Sequence, residues 1–336
     1  MLRSRVTHRL LVGLLVMSCA GTPVRLVGER RDDDPTWPRA GQLTVRYLGE
    51  LQTAENLGIE PTAWQRFTSW VSGEPVSTAL SRPFSLAVAH DGRVAVADPG
   101  SRTVRVYDPP RHRHQRLSEG LTAPVAVAFM GPLLAVADAE GHTVKAFDTE
   151  GGAAQLPWPL PPLGRPTGLA WDEAGQRLFV VDAANHCVQV LSKSGAVKLG
   201  RRGSLAGEFN FPTHVAWAGG QLYVTDSLNF RVQIFDAQLG YVRELGGLGD
   251  TPGDLPRPKG VAVDERGTIW VVEGAFDAVQ AFSAAGELVA VIGGSGTSPG
   301  RFWLPSGAAV DAHGRLYIAD TWNARVQVFA TEEAAP

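Results

Sequence analysis

Cysteine is scarce in this chain of 336 residues, which carries only Cys19 and Cys187. A disulfide-stapled scaffold needs several half-cystines in one domain and is therefore excluded. Long apolar runs are also wanting: the stretch at residues 10–17 has eight residues, against the ~20 that a bilayer-crossing helix requires. Nor is there an excess of charge. The formal net charge is -3 and charged residues make up 19% of the chain, which gives no general attraction for nucleic acid or anionic lipid. Glycine and proline, by contrast, are abundant at about 18% together, against ~12% in an average protein. They follow no collagen-like period and stay below the ~25–30% of low-complexity chains. With 44% hydrophobic residues to fill a core, the excess points to many short turns and an all-β protein.

The N-terminus reads as a targeting segment. A basic head with Arg3, Arg5 and Arg9 leads into the apolar run and then Ser18-Cys19-Ala20-Gly21, the physical form of a secretory signal. Residues 15–19, Leu-Val-Met-Ser-Cys, resemble the lipobox of bacterial lipoproteins. That resemblance implies loss of residues 1–18, lipidation of Cys19 and a place in the bacterial cell envelope, held by acyl chains that contribute ~0.8 kcal/mol per buried CH₂. An Asp after the lipidated Cys retains such proteins at the inner membrane; Ala20 stands there instead, which implies the outer membrane. The mature chain would lose three positive charges and carry about -6. Residues 19–42 are polar, with Arg30-Arg31-Asp32-Asp33-Asp34, Pro35 and Pro38, and read as a flexible tether.

One pattern recurs six times, starting at Pro83, Pro124, Pro166, Pro212, Pro258 and Pro305, 41 to 47 residues apart. Each unit runs from the proline into an apolar stretch, a polar turn usually holding glycine, a run of β-formers ending in an acid, and a third β run. The acids are Asp98, Asp138, Asp182, Asp226, Glu273 and Asp320. Period-two alternation between glycine turns indicates an antiparallel meander, and a fourth strand follows in most units, as at 241–245 and 287–292. Four strands per unit make one blade of a β-propeller, and six four-stranded blades close a ring. Asp226-x-x-Asn229-x-Arg231-Val232-Gln233 and Asp320-x-x-Asn323-x-Arg325-Val326-Gln327 resemble the NHL repeat, a resemblance that spans about 83–329. The third unit departs from it with Cys187 in place of the Arg, and the fifth with Glu273 for the Asp and Ala278 for the Arg.

The repeat count also predicts how the ring closes. After Phe329 only seven polar residues remain, so the last blade lacks a fourth strand. The unassigned strand-like run 43–51 is predicted to pair with residues 325–329 and supply it. Residues 61–71 put Trp64, Phe67, Trp70 and Val71 on one helical face, read as packed on the propeller, with a partner or lid surface as the alternative. The expected organisation is thus a signal at 1–18, a tether at 19–42, a closing strand and short helix at 43–82, and the propeller at 83–330.

Little of this reads as catalytic. The glycine-rich stretches 246–253 and 293–300 lead into strands, not into a helix N-terminus able to complement a phosphate, and read as blade connectors. The six acids recur in every blade, whereas a catalytic site is one asymmetric constellation. Together with Asn229, Arg231, Asn323 and Arg325 they read as structural, bonding turn amides or each other. Most histidines fall in turns: His90 and His313 in the first hairpin, His142 and His186 in the second, and His112 and His114 in a basic loop short of a third metal ligand. His214, entering an inner strand, is placed for the channel mouth. Peptidyl-amidoglycolate lyases, a zinc-using branch of the NHL propellers, carry His directly after the repeat Pro in three blades; here that place holds Phe84, Val125, Thr167, Thr213, Lys259 and Ser306, so no metal or other cofactor is implied. Some eukaryotic NHL propellers bind RNA through a strongly basic face, which an acidic exported chain does not match. The reading is a non-catalytic scaffold for an envelope protein, peptide or glycan, with Thr213, His214, Lys259 and Ser306 as the binding residues at the channel mouth. The alternative is a metal-assisted hydrolase or lyase using the central channel.

Overall fold

The computed structural model describes residues 26, 35–37, 43–61, 66, 70–71, 78–148, 150 and 152–333; Cys19 and the signal segment lie outside them. The first five repeats each fold into a four-stranded antiparallel sheet in chain order, at 85–117, 124–154, 166–199, 212–246 and 258–293. Strands are lettered a to d from the axis outward. Each strand a touches strand a of both neighbouring blades, and that of the sixth blade touches that of the first, so the ring is closed. Strand b is buried on both faces, which is why it reads as a continuous apolar run such as Val94–Asp98. Strand c carries a large side chain at the same place in every blade: Tyr107, Phe147, Leu191, Phe235, Phe282 and Phe329, all buried. Each such side chain contributes ~1.5–3 kcal/mol by leaving water.

The sixth blade consists of Ala308–Val310, Arg315–Asp320 and Arg325–Glu333, with Leu43–Leu51 as its strand d. Tyr47 pairs with Phe329, their ring centroids 5.8 Å apart, and Arg325 reaches across to Glu50 at 2.7 Å. The two chain ends are therefore latched as the repeat count predicts. The latch goes further than expected. Thr36–Trp37 adds a fifth strand outside Leu43–Leu51, the Tyr47 amide donates to the Pro35 carbonyl at 3.1 Å, and Trp37 packs 6.1 Å from Phe329. This part of the expected tether is docked because it carries an aromatic ring for which the last seam has room.

Two other places depart from the simple pattern. Strand d of the second blade is only Ala153–Ala154, because Pro157, Pro159, Pro161 and Pro162 follow and cannot donate to a ladder. Leu156, Trp158, Leu160 and Leu163 instead pack, partly buried, on the seam between the second and third blades. In the segment 61–71, Trp64 and Phe67 lie outside the described residues. Trp70 and Val71 are helical and exposed.

Candidate functional site

The site is set by tiers along the inner strands, counted from each repeat proline. Two residues on stand Ser85, Ala126, Gly168, His214, Gly260 and Gly307. The glycines let neighbouring inner strands approach: the Gly260 amide donates to the Ser306 carbonyl at 2.8 Å, and a Cβ at Gly260 would lie 2.5 Å from that oxygen. His214 is the one large side chain in this tier. Its imidazole crosses the axis and stacks on Phe84 of the diametrically opposite blade, with centroids 5.8 Å apart and planes 23° from parallel. The pair plugs the channel. Both ring nitrogens of His214 are buried without a hydrogen-bond partner. Burial first, then the nearby Lys259 ammonium, pushes its pKa down to about 3, so the imidazole is neutral at physiological pH.

The other residues expected at the channel mouth lie on the far side of this plug. Thr213 shares a hydrogen bond with Ser227 at 2.8 Å, and Ser227 donates to the Pro258 carbonyl at 2.6 Å. Ser306 donates to the Phe84 carbonyl at 2.5 Å and meets the Thr321 hydroxyl at 2.7 Å. These hydroxyls stitch the fourth blade to the fifth and the sixth to the first. Lys259 is half-buried beside Gly274, and burial, then Arg257, lowers its pKa. Of the four residues, His214 lines the cavity described next.

Below the plug the channel widens into a cup of about 560 Å³ that runs to the turns joining strands a and b. Five residues after the repeat proline stand Val88, Phe129, Trp171, Trp217, Val263 and Val310, all lining it. Three consecutive blades thus present an aromatic arc, and the other three an aliphatic one. The rings are held from outside. Trp217 stacks on Phe179 at 5.2 Å with the Arg177 guanidinium 4.9 Å from its centre, and Asp172 pins that guanidinium at 2.7 Å. Arg93 lies 5.0 Å over Phe129 and pairs with Asp91 at 2.9 Å. Against the cost of partial burial, the bonds from Arg93 hold the Asp91 carboxyl below its usual range. The Trp171 indole donates to Glu173 at 2.6 Å.

These features suit stacking and polar recognition at a rim. Asp172, Asp264 and Asp311 near the mouth are each paired with a local arginine at 2.6–2.7 Å. Among the described residues, no three His, Cys, Asp or Glu side chains gather as metal donors. His114 is packed on Tyr107 with centroids 5.0 Å apart, and burial, then Arg105, pushes its pKa down to about 4. Burial pushes the Cys187 thiol up to about 11, which leaves it unreactive.

The six acids that end strand b are all buried and all accept from turn groups. Asp98 receives the Ser81 and Arg82 amides at 2.8 Å, Asp138 the Thr122 and Ala123 amides, Asp182 those of Gly164 and Arg165, and Glu273 those of Arg257 and Ala275. Asp226 accepts the Asn210 amide, Asn229 and Arg231; Asp320 accepts the Trp303 amide, Asn323 and Arg325. Each acid staples the loop entering its blade to its own b–c turn.

The aromatic arc escaped the sequence reading, although lining up the repeats five places after the proline exposes it. Comparison with known proteins agrees with the geometry of the fold. Residues 302–329 match the NHL repeat. Over 113 residues the chain is 33% identical to Protein brain tumor of Drosophila melanogaster, an alignment covering 32% of this chain and 10% of that protein. The chain spans a tenth or less of the length of the curated relatives it matches. A solved protein of unknown function from Bacteroides thetaiotaomicron superposes with a TM-score of 0.63 at 16% identity, over 87% of this chain and 77% of the other. An auxiliary nutrient binding protein from the same organism gives 0.59 at 11% identity, over 76% and 70%. A streptogramin B lyase gives 0.56 at 12%, over 75% and 94%. Identities this low carry the fold alone, and binding proteins and enzymes share it.

Proposed function

We propose that this six-bladed NHL-repeat propeller is a non-catalytic binding protein of the cell envelope, whose axial cup takes the end of a glycan or a short peptide. The observation that carries the reading is the half-ring of Phe129, Trp171 and Trp217 around a blind cup of about 560 Å³, within the ~300–1,000 Å³ usual for ligand sites. Flat rings of a ligand would lie against Trp171 and Trp217. The neutral His214 at the floor, with one donor and one acceptor nitrogen, would meet a hydroxyl or amide. Support for export and an acyl anchor at Cys19 is the run 15–19. Metabolic labelling with a palmitate analogue tests it: label is expected on the native chain and absent from Cys19→Ser.

Tryptophan-fluorescence titration with a panel of mono- and disaccharides and envelope-derived peptides tests the cup. At least one class is expected to saturate the signal, and Trp171→Ala with Trp217→Ala to weaken it by tenfold or more. Binding unchanged in that double variant would overturn the reading. The alternative, a metal-assisted hydrolase or lyase in the channel, has the likeness to a lyase fold in its favour but no donor set among the described residues.

A further inference from the structure

The opposite end of the ring carries a second surface. All b–c turns and blade-entering loops lie there, and around the sixth blade they expose Phe276, Trp303 and Trp322. Trp303 and Trp322 lean together with centroids 6.0 Å apart, and the Arg82 guanidinium lies 4.7 Å over Trp322. Arg82, Arg257 and Arg301 in this sector are exposed and form no ion pair among the described residues. Elsewhere on the ring many arginines have an acid, among them Arg93, Arg111, Arg177, Arg266 and Arg315. Exposed indoles beside arginines that form no ion pair suit a surface that is apolar at one depth and anionic at another.

The same blade receives the N-terminal chain. Leu26 lies against Gly49, two residues from the end of strand Leu43–Leu51 at this face. Leu26 is seven residue steps from Cys19, a reach of at most ~25 Å. An acyl chain at Cys19 would thus keep the sixth blade close to the membrane, nearer its plugged face than its cup. No helix among the described residues is long and apolar enough to cross a bilayer.

We propose that the plugged face around the sixth blade docks on an anionic lipid surface, with Trp303 and Trp322 at headgroup depth and Arg82, Arg257 and Arg301 over lipid phosphates. The cup then opens away from the membrane. Sedimentation of the chain from residue 19 onward, carrying Cys19→Ser to remove the acyl tie, with vesicles of phosphatidylcholine or of phosphatidylcholine plus phosphatidylglycerol tests this. Binding is expected to the anionic vesicles. It should weaken about fivefold per arginine neutralised, hence about a hundredfold for Arg82→Gln, Arg257→Gln and Arg301→Gln together, while Arg113→Gln on the other face behaves as wild type. Brominated lipid should quench tryptophan fluorescence, and the quenching should fall in Trp303→Phe with Trp322→Phe. Equal binding to both vesicle types, wild-type binding by the triple arginine variant, or unchanged quenching would each overturn the proposal. Tight capture of single-stranded RNA without vesicle binding would make the patch a nucleic-acid surface instead. The cup's ligand binding stands apart from all these outcomes.

Discussion

Lowering the pH should destabilise the ring through His214. The folded imidazole, buried against Phe84, has its pKa at about 3, whereas in the unfolded chain it returns to ~6.5. Below pH 6.5 the unfolded state therefore takes up a proton that the folded state refuses. Stability is lost from that point down to the folded value. Linkage gives a loss of about 2 kcal/mol between pH 7 and pH 5 from this group alone. His214→Phe keeps the stack across the axis and removes the titration, so it should lose about 2 kcal/mol less than the native chain over that window. Urea unfolding midpoints at pH 7, 6 and 5 measure both. His114, also depressed, contributes equally to the two proteins and cancels. Parallel losses would mean that the folded imidazole accepts a proton at pH 5, and that the unpartnered plug is misread.

The inner tier makes a second prediction. Gly260→Ala places a Cβ 2.5 Å from the Ser306 oxygen and 2.7 Å from the Ala308 nitrogen, and overpacking of this kind costs ~1–3 kcal/mol. Gly247→Ala, which would meet only Asp254 at 3.9 Å, should stay within ~0.5 kcal/mol of the parent. Arg325 and Arg231 give a matched pair: each binds its own blade's Asp, an outer Glu and two loop carbonyls. Replacing either by Met leaves buried acids unpaired and should cost ~3–5 kcal/mol by denaturant titration. Only Arg325→Met should also speed proteolysis within residues 35–51, because its outer Glu50 belongs to the N-terminal strand.

The ring was legible because its signals repeat. Six prolines, six acids and period-two runs force the same sheet six times, and the unit left one strand short points to Leu43–Leu51 as the donor. Thr36–Trp37 was hidden because two residues between prolines carry no periodicity; their docking depends on Phe329, nearly 300 positions away. The site was only partly legible. Position after the proline marks which end of the channel a residue occupies, but not whether that end is open. That depends on Gly168, Gly260 and Gly307 narrowing the ring and on His214 meeting Phe84 across it, distances that no single repeat contains. The hydroxyls of Thr213 and Ser306 looked available because their partners, Ser227 and the Phe84 carbonyl, belong to other turns or blades.

The bond between Arg46 and Glu332 joins positions 286 apart, and its strand pair is the most distant in sequence. Contacts so remote form late, since the whole intervening chain must be ordered before they are rewarded. Until then the molecule carries two raw sheet margins, one at each terminus, of the kind that recruit strands from neighbouring chains. A copy shortened by a dozen C-terminal residues would keep that hazard for life, its amino-terminal strand left to seek an edge on another molecule.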